Sequence, residues 1–190
     1  MLGTIALGAL VGSLVSWIWG AISWMALPWH HSTFRPFRDE EAVARALEEN
    51  APASGIYGIP AQPTYSQTAT KGERAAVDRA AQERLKRGPL LFAVVLREGY
   101  PPIWRPMLGA LLIGAATAAV FTAMLLQAPG LTFAGRVAFV GAGGLAGAML
   151  CRLPDWNWHG FSTHYTAVAI ADATIGWTLV GCALAWVVGA

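Results

Sequence analysis

Long apolar runs separated by short polar connections dominate the chain, apart from one broad polar stretch near the first run. Four runs have the roughly 20 residues that an α-helix needs to cross the hydrocarbon core of a bilayer. These runs, which we name spans 1 to 4, cover residues 1–27, 106–126, 131–150 and 162–188. The connection between spans 2 and 3 is short and contains Pro-Gly, so these two spans are predicted to form an antiparallel hairpin.

The broad polar stretch, residues 28–105, is predicted to be an extramembrane insertion with its own secondary structure. Three consecutive acids precede apolar residues that recur on one face, which predicts an amphipathic helix over residues 39–50. A second helix is predicted over Lys71–Arg87, with an ion pair between Glu83 and Arg87 four positions apart.

An eight-residue apolar run at residues 89–96 is too short to cross a membrane. It is predicted either as a strand, with residues 55–60 as its partner, or as a segment lying in the membrane interface. The whole pattern predicts an all-α membrane protein, a four-transmembrane-helix bundle with a small polar α+β insertion between helices 1 and 2.

Composition and charge exclude the main soluble classes. Of the 190 residues, 55% are hydrophobic and 13% are charged, whereas a soluble domain carries about 25% charged residues. Twenty of the 24 charged residues lie between Arg35 and Arg105. With a net charge of +2 and no basic cluster outside this mixed-charge stretch, the chain offers no footprint for nucleic acid. Span 1 has no basic residues before its apolar run, so it is predicted as a transmembrane helix and not as a cleaved signal.

The basic residues also predict how the chain crosses the membrane. Four spans place both termini on one face, named Y, and place the insertion and the connection over residues 151–161 on the other face, named X. Twelve of the 13 Lys and Arg residues then fall on face X, and only Arg136 lies near face Y. By the positive-inside rule, face X is predicted to be the cytoplasmic side of a multi-pass membrane protein.

Small residues recur at every fourth position of span 1. They are Gly8, Gly12, Ser16 and Gly20. Span 2 carries a second stripe at the same spacing, Ala110, Gly114, Ala118 and Thr122. Such stripes let helix backbones approach closely in lipid. The stripe on span 1 is predicted either to pack inside an intramolecular four-helix bundle or to dock another membrane protein.

All four histidines fall on face X: His30, His31, His159 and His164. Four tryptophans lie there too: Trp29, Trp104, Trp156 and Trp158. One interpretation is an interfacial aromatic belt with histidines that hydrogen-bond at helix ends. The alternative is that His30 or His31 faces His164 and ligates a metal, a haem or a chlorophyll-type pigment. No metal-ligand spacing such as HExxH or CxxC identifies a cofactor, and the absence of any cofactor is the simpler expectation.

Asp172 is the other candidate for chemistry. It lies ten residues past Ser162, which places it about 15 Å deep at 1.5 Å per residue. An intramembrane acid is costly and marks a site by default. Its candidate partners are Ser13, Ser16, Thr117 and Arg136. Asp172 is interpreted either as a hydrogen-bonded strut or as a proton- or substrate-handling group of a small transporter or membrane enzyme. No catalytic motif is present, so no catalytic residue is predicted.

Two short motifs carry a resemblance. The segments Leu27-Pro28-Trp29-His30 and Leu153-Pro154-Asp155-Trp156-Asn157-Trp158 resemble the LPWH and LPxWNW motifs of a family of small uncharacterised bacterial inner-membrane proteins. This resemblance implies a four-span layout and transfers no catalytic residues. Because the small-residue stripe on span 1 suits docking, the chain is predicted to be a non-enzymatic accessory or scaffold subunit of a larger bacterial membrane complex. A respiratory or photosynthetic complex would fit, but no residue selects one. Its expected partners are membrane lipid and other membrane-protein subunits, without nucleic acid.

Overall fold

The computed structural model describes residues 1–189 and contains, within them, six α-helices and one two-stranded sheet. Four helices are long and apolar enough to cross a membrane. They are α1 (Leu2–Ala21, extended by a π-helical turn, Ile22–Ala26), α4 (Trp104–Leu126), α5 (Phe133–His159) and α6 (Thr163–Gly189). The protein is therefore an all-α, multi-pass membrane protein, and the predicted fold class is confirmed.

Helix α5 differs from the predicted span 3. Residues 151–159, which were expected to lie in the connection to span 4, are helical, because the helix continues through Pro154 and ends at His159. Asp155 Oδ1 lies 3.0 Å from His159 Nδ1 one turn along, which supports this last part of the helix. Gly160 then ends it in the left-handed conformation at φ 73°, where a glycine has no Cβ to strain. The proline removes a single backbone donor, a loss that long apolar helices tolerate.

The small-residue stripes of α1 and α4 face each other. The contacts pair Gly8 with Thr122, Gly12 with Ala118 and Ser16 with Gly114. A Cβ added at Gly12 would lie 2.5 Å from the Ala118 Cβ, so the two backbones approach as closely as a glycine permits. This part of the span 1 stripe is thus occupied within the chain, as the intramolecular interpretation predicted.

A small apolar core lies at the centre of the four long helices. Its fully buried residues are Ala118, Leu125, Val140, Val180 and Leu184. Helix α6 packs against both α1 and α5, and it supplies two of these five residues. On its α5 side, Thr178 fits over Gly141, where an added Cβ would lie 2.8 Å from the threonine hydroxyl. Helix α6 is therefore held on two faces, which fixes the position of Asp172.

The insertion forms a separate compact unit over residues 36–100. It contains α2 (Glu40–Asn50) and α3 (Lys71–Arg87), which agree with the two predicted helices. The Thr70 hydroxyl and the Glu73 carboxylate close a reciprocal capping box at the start of α3. Hydrogen bonds from the Thr70 N–H and hydroxyl lower the pKa of Glu73.

The same unit contains the sheet. Strands β1 (Gly55–Ile59) and β2 (Leu91–Val95) pair antiparallel with Ile56 opposite Val94, so the strand interpretation of the apolar run is confirmed. The partner predicted for Glu83 in the ion pair on α3 is wrong. Glu83 pairs with Lys86 three positions on, at 3.0 Å, and not with Arg87.

Candidate functional site

The end of α1 turns the chain back toward the long helices. Proline disfavours helical backbone in the residue before it, so Pro28 places Leu27 in an extended conformation at φ −94° and ψ 138°. A short 3₁₀ helix, His31–Thr33, follows. We name residues 27–33 the hook. This local geometry directs the His30 side chain inward, where only 4% of the residue is exposed.

His30 meets Asp172 inside the four-helix unit. Its Nε2 lies 3.3 Å from Asp172 Oδ2 and 3.0 Å from Ser23 Oγ. The Asp172 side chain is 17% exposed, so both partners are largely removed from solvent. The contact joins the hook after α1 to the interior of α6, and it brings together two residues that the sequence analysis had treated as unrelated candidates.

The second carboxylate oxygen of Asp172 is held by Trp19. The indole Nε1 donates to Oδ1 at 2.7 Å and to the Asp172 carbonyl oxygen at 3.1 Å. Gly176, one turn after Asp172, makes room for this indole, because an added Cβ would lie 2.7 Å from Trp19 Cδ1. Gly176 therefore allows the hydrogen bond between Trp19 and Asp172 as well as the close packing of the helices.

Two further indoles enclose the imidazole. Trp24 stacks on His30 with ring centroids 3.9 Å apart and planes inclined by 5°. Trp29 meets the same ring edge-on at 5.6 Å, and its Nε1 donates to Ser23 Oγ at 3.1 Å and to the Ser23 carbonyl at 3.2 Å. We name the whole group the His30 cluster: Trp19, Ser23, Trp24, Trp29, His30 and Asp172.

The partners predicted for Asp172 are wrong. The hydroxyls of Ser13, Ser16 and Thr117 each donate to a carbonyl oxygen on their own helix. Arg136 donates from Nη1 to the Ala185 carbonyl oxygen at 3.3 Å. Helix positions alone suggested these partners. The sequence analysis did not identify His30 as a partner of Asp172. Hydrophobic periodicity predicts individual helices, and it does not show that the hook folds back against them.

The predicted pairing of His30 with His164 is also not formed. His164 Nε2 lies 2.9 Å from Ser32 Oγ, so it tethers the other end of the hook. His31 is exposed, and His159 pairs with Asp155 on α5. Within residues 1–189, no three His, Cys, Asp or Glu side chains are grouped so that they could hold a metal ion.

The four predicted interfacial tryptophans divide into two groups. Trp29 turns inward and belongs to the His30 cluster. The other three, Trp104, Trp156 and Trp158, are exposed. Trp156 donates to Thr163 Oγ1 at 3.1 Å, and the Arg105 guanidinium lies 5.5 Å from the Trp104 ring centroid. These exposed indoles have the placement expected of side chains at a membrane interface.

The arrangement can hold charge and protons within an apolar unit. A carboxylate, an imidazole and a hydroxyl lie in hydrogen-bond contact, and three indoles surround them. No protein-family model, curated protein or solved structure matches the chain. The functional argument therefore rests on the sequence and the geometry of this chain.

Proposed function

We propose that the protein is a non-enzymatic accessory subunit that scaffolds a larger complex in the bacterial inner membrane, of respiratory or photosynthetic type. The resemblance of its LPWH and LPxWNW segments to small bacterial inner-membrane proteins supports the location. The observation that carries the scaffold role is an apolar face on the sheet of the insertion.

This face is built by the register of the two strands. Ile56 lies directly opposite Val94, and Phe92 lies opposite Gly58 on the same face. Ile56 is 69% exposed and Val94 is 65% exposed. Apolar side chains of a membrane-spanning helix can face lipid, but these two residues belong to the insertion. Adjacent exposed apolar side chains in such a unit are typical of an interaction surface. We name Ile56 and Val94 the sheet face.

A partner would also stabilise the sheet itself. Two antiparallel strands alone are marginally stable in water and need a third strand or a covering element. A neighbouring subunit that covers the sheet face would remove its apolar side chains from water, which contributes about 25 cal/mol per Å² of apolar area.

The charge of the insertion favours a protein partner over a lipid surface. Residues 36–100 carry nine basic and nine acidic residues, so the unit has no net charge. Adsorption to an anionic leaflet depends on clusters of basic residues. The sheet face therefore fits an apolar, uncharged surface of another membrane-protein subunit.

The stripe on span 1 no longer supports docking of a partner along most of its length. Its residues from Gly8 to Ser16 pack on α4, whereas a Cβ added at Gly20 would meet nothing within 4 Å. The proposed partner contact is accordingly assigned to the insertion.

A cofactor-binding role has less support from the geometry. The Nε2 atoms of His30 and His164 are engaged by Asp172 and Ser32. An absorption spectrum of the purified protein tests this alternative, and we expect no haem or pigment band.

The experiment for the scaffold role is native purification followed by quantitative mass spectrometry. The variant I56T/V94T keeps residues suited to strands but removes the apolar surface. Leu85→Thr, at another exposed apolar position of the same unit, is the matched control. We expect the double variant to lose the membrane subunits that co-purify with the wild type, and Leu85→Thr to retain them. An unchanged set of subunits in the double variant would contradict the assignment of the interface.

A further inference from the structure

We propose that a cavity beside the start of α6 binds the phosphate group of a membrane phospholipid. The cavity has a volume of about 320 Å³. Its lining residues come from two segments, one at the end of the hook and one around the first residue of α6: Thr33, Phe34, Arg35, Phe161, Ser162 and Tyr165. The site is separate from the His30 cluster and from the sheet face, so it does not depend on the scaffold role.

The fold of the chain brings the two segments together. Ser32 Oγ lies 2.9 Å from His164 Nε2, which joins the hook to the first turn of α6. Thr33 Oγ1 donates to the His30 carbonyl oxygen at 2.7 Å and so closes the last turn of the hook. Phe34 then continues in an extended conformation, at φ −99° and ψ 141°. The residues on both sides of the cavity are therefore positioned by contacts within the four-helix unit.

Three aromatic rings form the apolar part of the cavity. Phe34 meets Tyr165 edge-on, with ring centroids 6.1 Å apart and planes inclined by 77°. The rings of Phe161 and Tyr165 lie 5.3 Å apart, with planes inclined by 51°. Phe34 is nevertheless 64% exposed, so the rings pack on one another and still leave apolar area uncovered. Such a surface suits the glycerol backbone and the first carbons of the acyl chains of a lipid.

Arg35 supplies the charge of the cavity. A guanidinium is planar and always charged, and its paired N–H donors match the oxygens of a phosphate. Within residues 1–189, Arg35 forms no ion pair and its side chain donates no hydrogen bond. Ser162 Oγ accepts from the Tyr165 N–H at 3.1 Å, and a hydroxyl that accepts in this way retains its own proton for donation. Both side chains can therefore donate to an anionic ligand.

No neighbouring acid opposes an anion in the cavity. In the described part of the four-helix unit, the only carboxylate side chains are Asp155 and Asp172. Asp155 lies 3.0 Å from His159 Nδ1, Asp172 belongs to the His30 cluster, and neither lines the cavity. The start of α6 adds a partial positive charge to that of Arg35. The electrostatics of the cavity therefore favour an anion.

The position of the cavity along the chain favours a lipid as the source of the phosphate. The apolar helix before the hook ends at Ala26, and α6 begins at Thr163. The lining residues thus follow one membrane span and precede another, at the boundary between hydrocarbon and headgroups. Phospholipid phosphates lie at this boundary. A phosphate ion in solution has the same oxygens but no chains to cover the aromatic rings.

Native mass spectrometry of the full-length, delipidated protein in detergent measures the binding. The probe is dioleoylphosphatidylglycerol, and the readout is the dissociation constant of the first bound lipid. Dioleoylglycerol has the same chains without the phosphate, and inorganic phosphate has no chains. We expect the phospholipid to bind about fivefold or more tightly than dioleoylglycerol. Inorganic phosphate at the same concentration should not displace it.

Two variants locate the site. Arg35→Gln removes the charge and should raise the dissociation constant about fivefold. Because Arg35 is exposed, this variant should unfold at the wild-type temperature, which circular dichroism checks. Arg152→Gln, at an exposed arginine of the same unit that does not line the cavity, is the matched control and should bind like the wild type.

The outcomes separate the site from its ligand. Wild-type affinity in Arg35→Gln, or an equal loss of affinity in both variants, would overturn the assignment of the cavity. Equally tight binding of dioleoylglycerol would overturn the recognition of phosphate. Displacement of the phospholipid by inorganic phosphate at the same concentration would overturn the lipid as the source and indicate a site for phosphate in solution.

Discussion

The imidazole of His30, which follows the first membrane span, lies 3.3 Å from the carboxylate of Asp172 inside the last. The contact explains how an acid is accommodated between apolar helices, because His30 and Trp19 each engage one carboxylate oxygen. It also explains why the chain folds back after α1. The contact thereby links the first and the last of the four long helices, which suits a rigid scaffold.

Substitutions at Asp172 should separate shape from charge. Asp172→Asn retains an acceptor for Trp19 and should unfold at nearly the wild-type temperature. Asp172→Leu leaves the Trp19 and His30 groups without their partner and should cost about 1–3 kcal/mol. Thermal unfolding in detergent, followed by circular dichroism, checks this. A leucine variant as stable as the wild type would show that the carboxylate contributes nothing to the fold.

Trp19 should matter more than an exposed indole. Trp19→Phe removes a hydrogen bond to a carboxylate and should destabilise the protein by about 1.5–3 kcal/mol. Trp158→Phe, at an exposed position, should stay within about 0.5 kcal/mol of the wild type. The same unfolding assay compares the two variants, and equal effects would count against the hydrogen bond to Asp172.

The α1–α4 contact should reject a large side chain. Gly12→Leu forces a side chain against Ala118 and should cost about 1–3 kcal/mol or more. Gly20→Leu introduces the same residue where an added Cβ meets nothing within 4 Å, and it should be mild. Unfolding of both variants in detergent is the measurement. Similar mild effects would mean that the stripes do not require close approach.

Membrane sidedness can be tested by reporter fusions. A reporter at the C-terminus and one within the insertion should give opposite signals, with the insertion on the cytoplasmic side. Identical signals would mean that one of the four apolar helices does not cross the membrane.

Sequence patterns predicted the regular elements well. The helix expected over Lys71–Arg87 has those bounds, because its polar pattern, start and Gly-Pro stop are all local. The His30 cluster was not predictable in this way. It depends on the π-helical turn at Ile22–Ala26 and on the backbone of Leu27 before a proline, which together return His30 to the level of Asp172. Hydrophobic periodicity predicts one helix or strand at a time. It does not show that the chain folds back and brings His30 beside Asp172.

Asp172→Asn also separates a scaffold from a transporter. A scaffold should tolerate it, with normal assembly and a wild-type cell phenotype, because shape and hydrogen bonding are retained. A variant that assembles normally yet abolishes the cellular function would contradict the scaffold role and favour proton or substrate movement through Asp172.

Native purification from the membrane, with quantitative mass spectrometry of the co-purifying chains, tests the scaffold role most directly. The account predicts that the wild-type protein carries a fixed ratio of other membrane-protein subunits, and that I56T/V94T loses them while Leu85→Thr keeps them. A wild-type protein that purifies alone, without any stoichiometric partner, would contradict it.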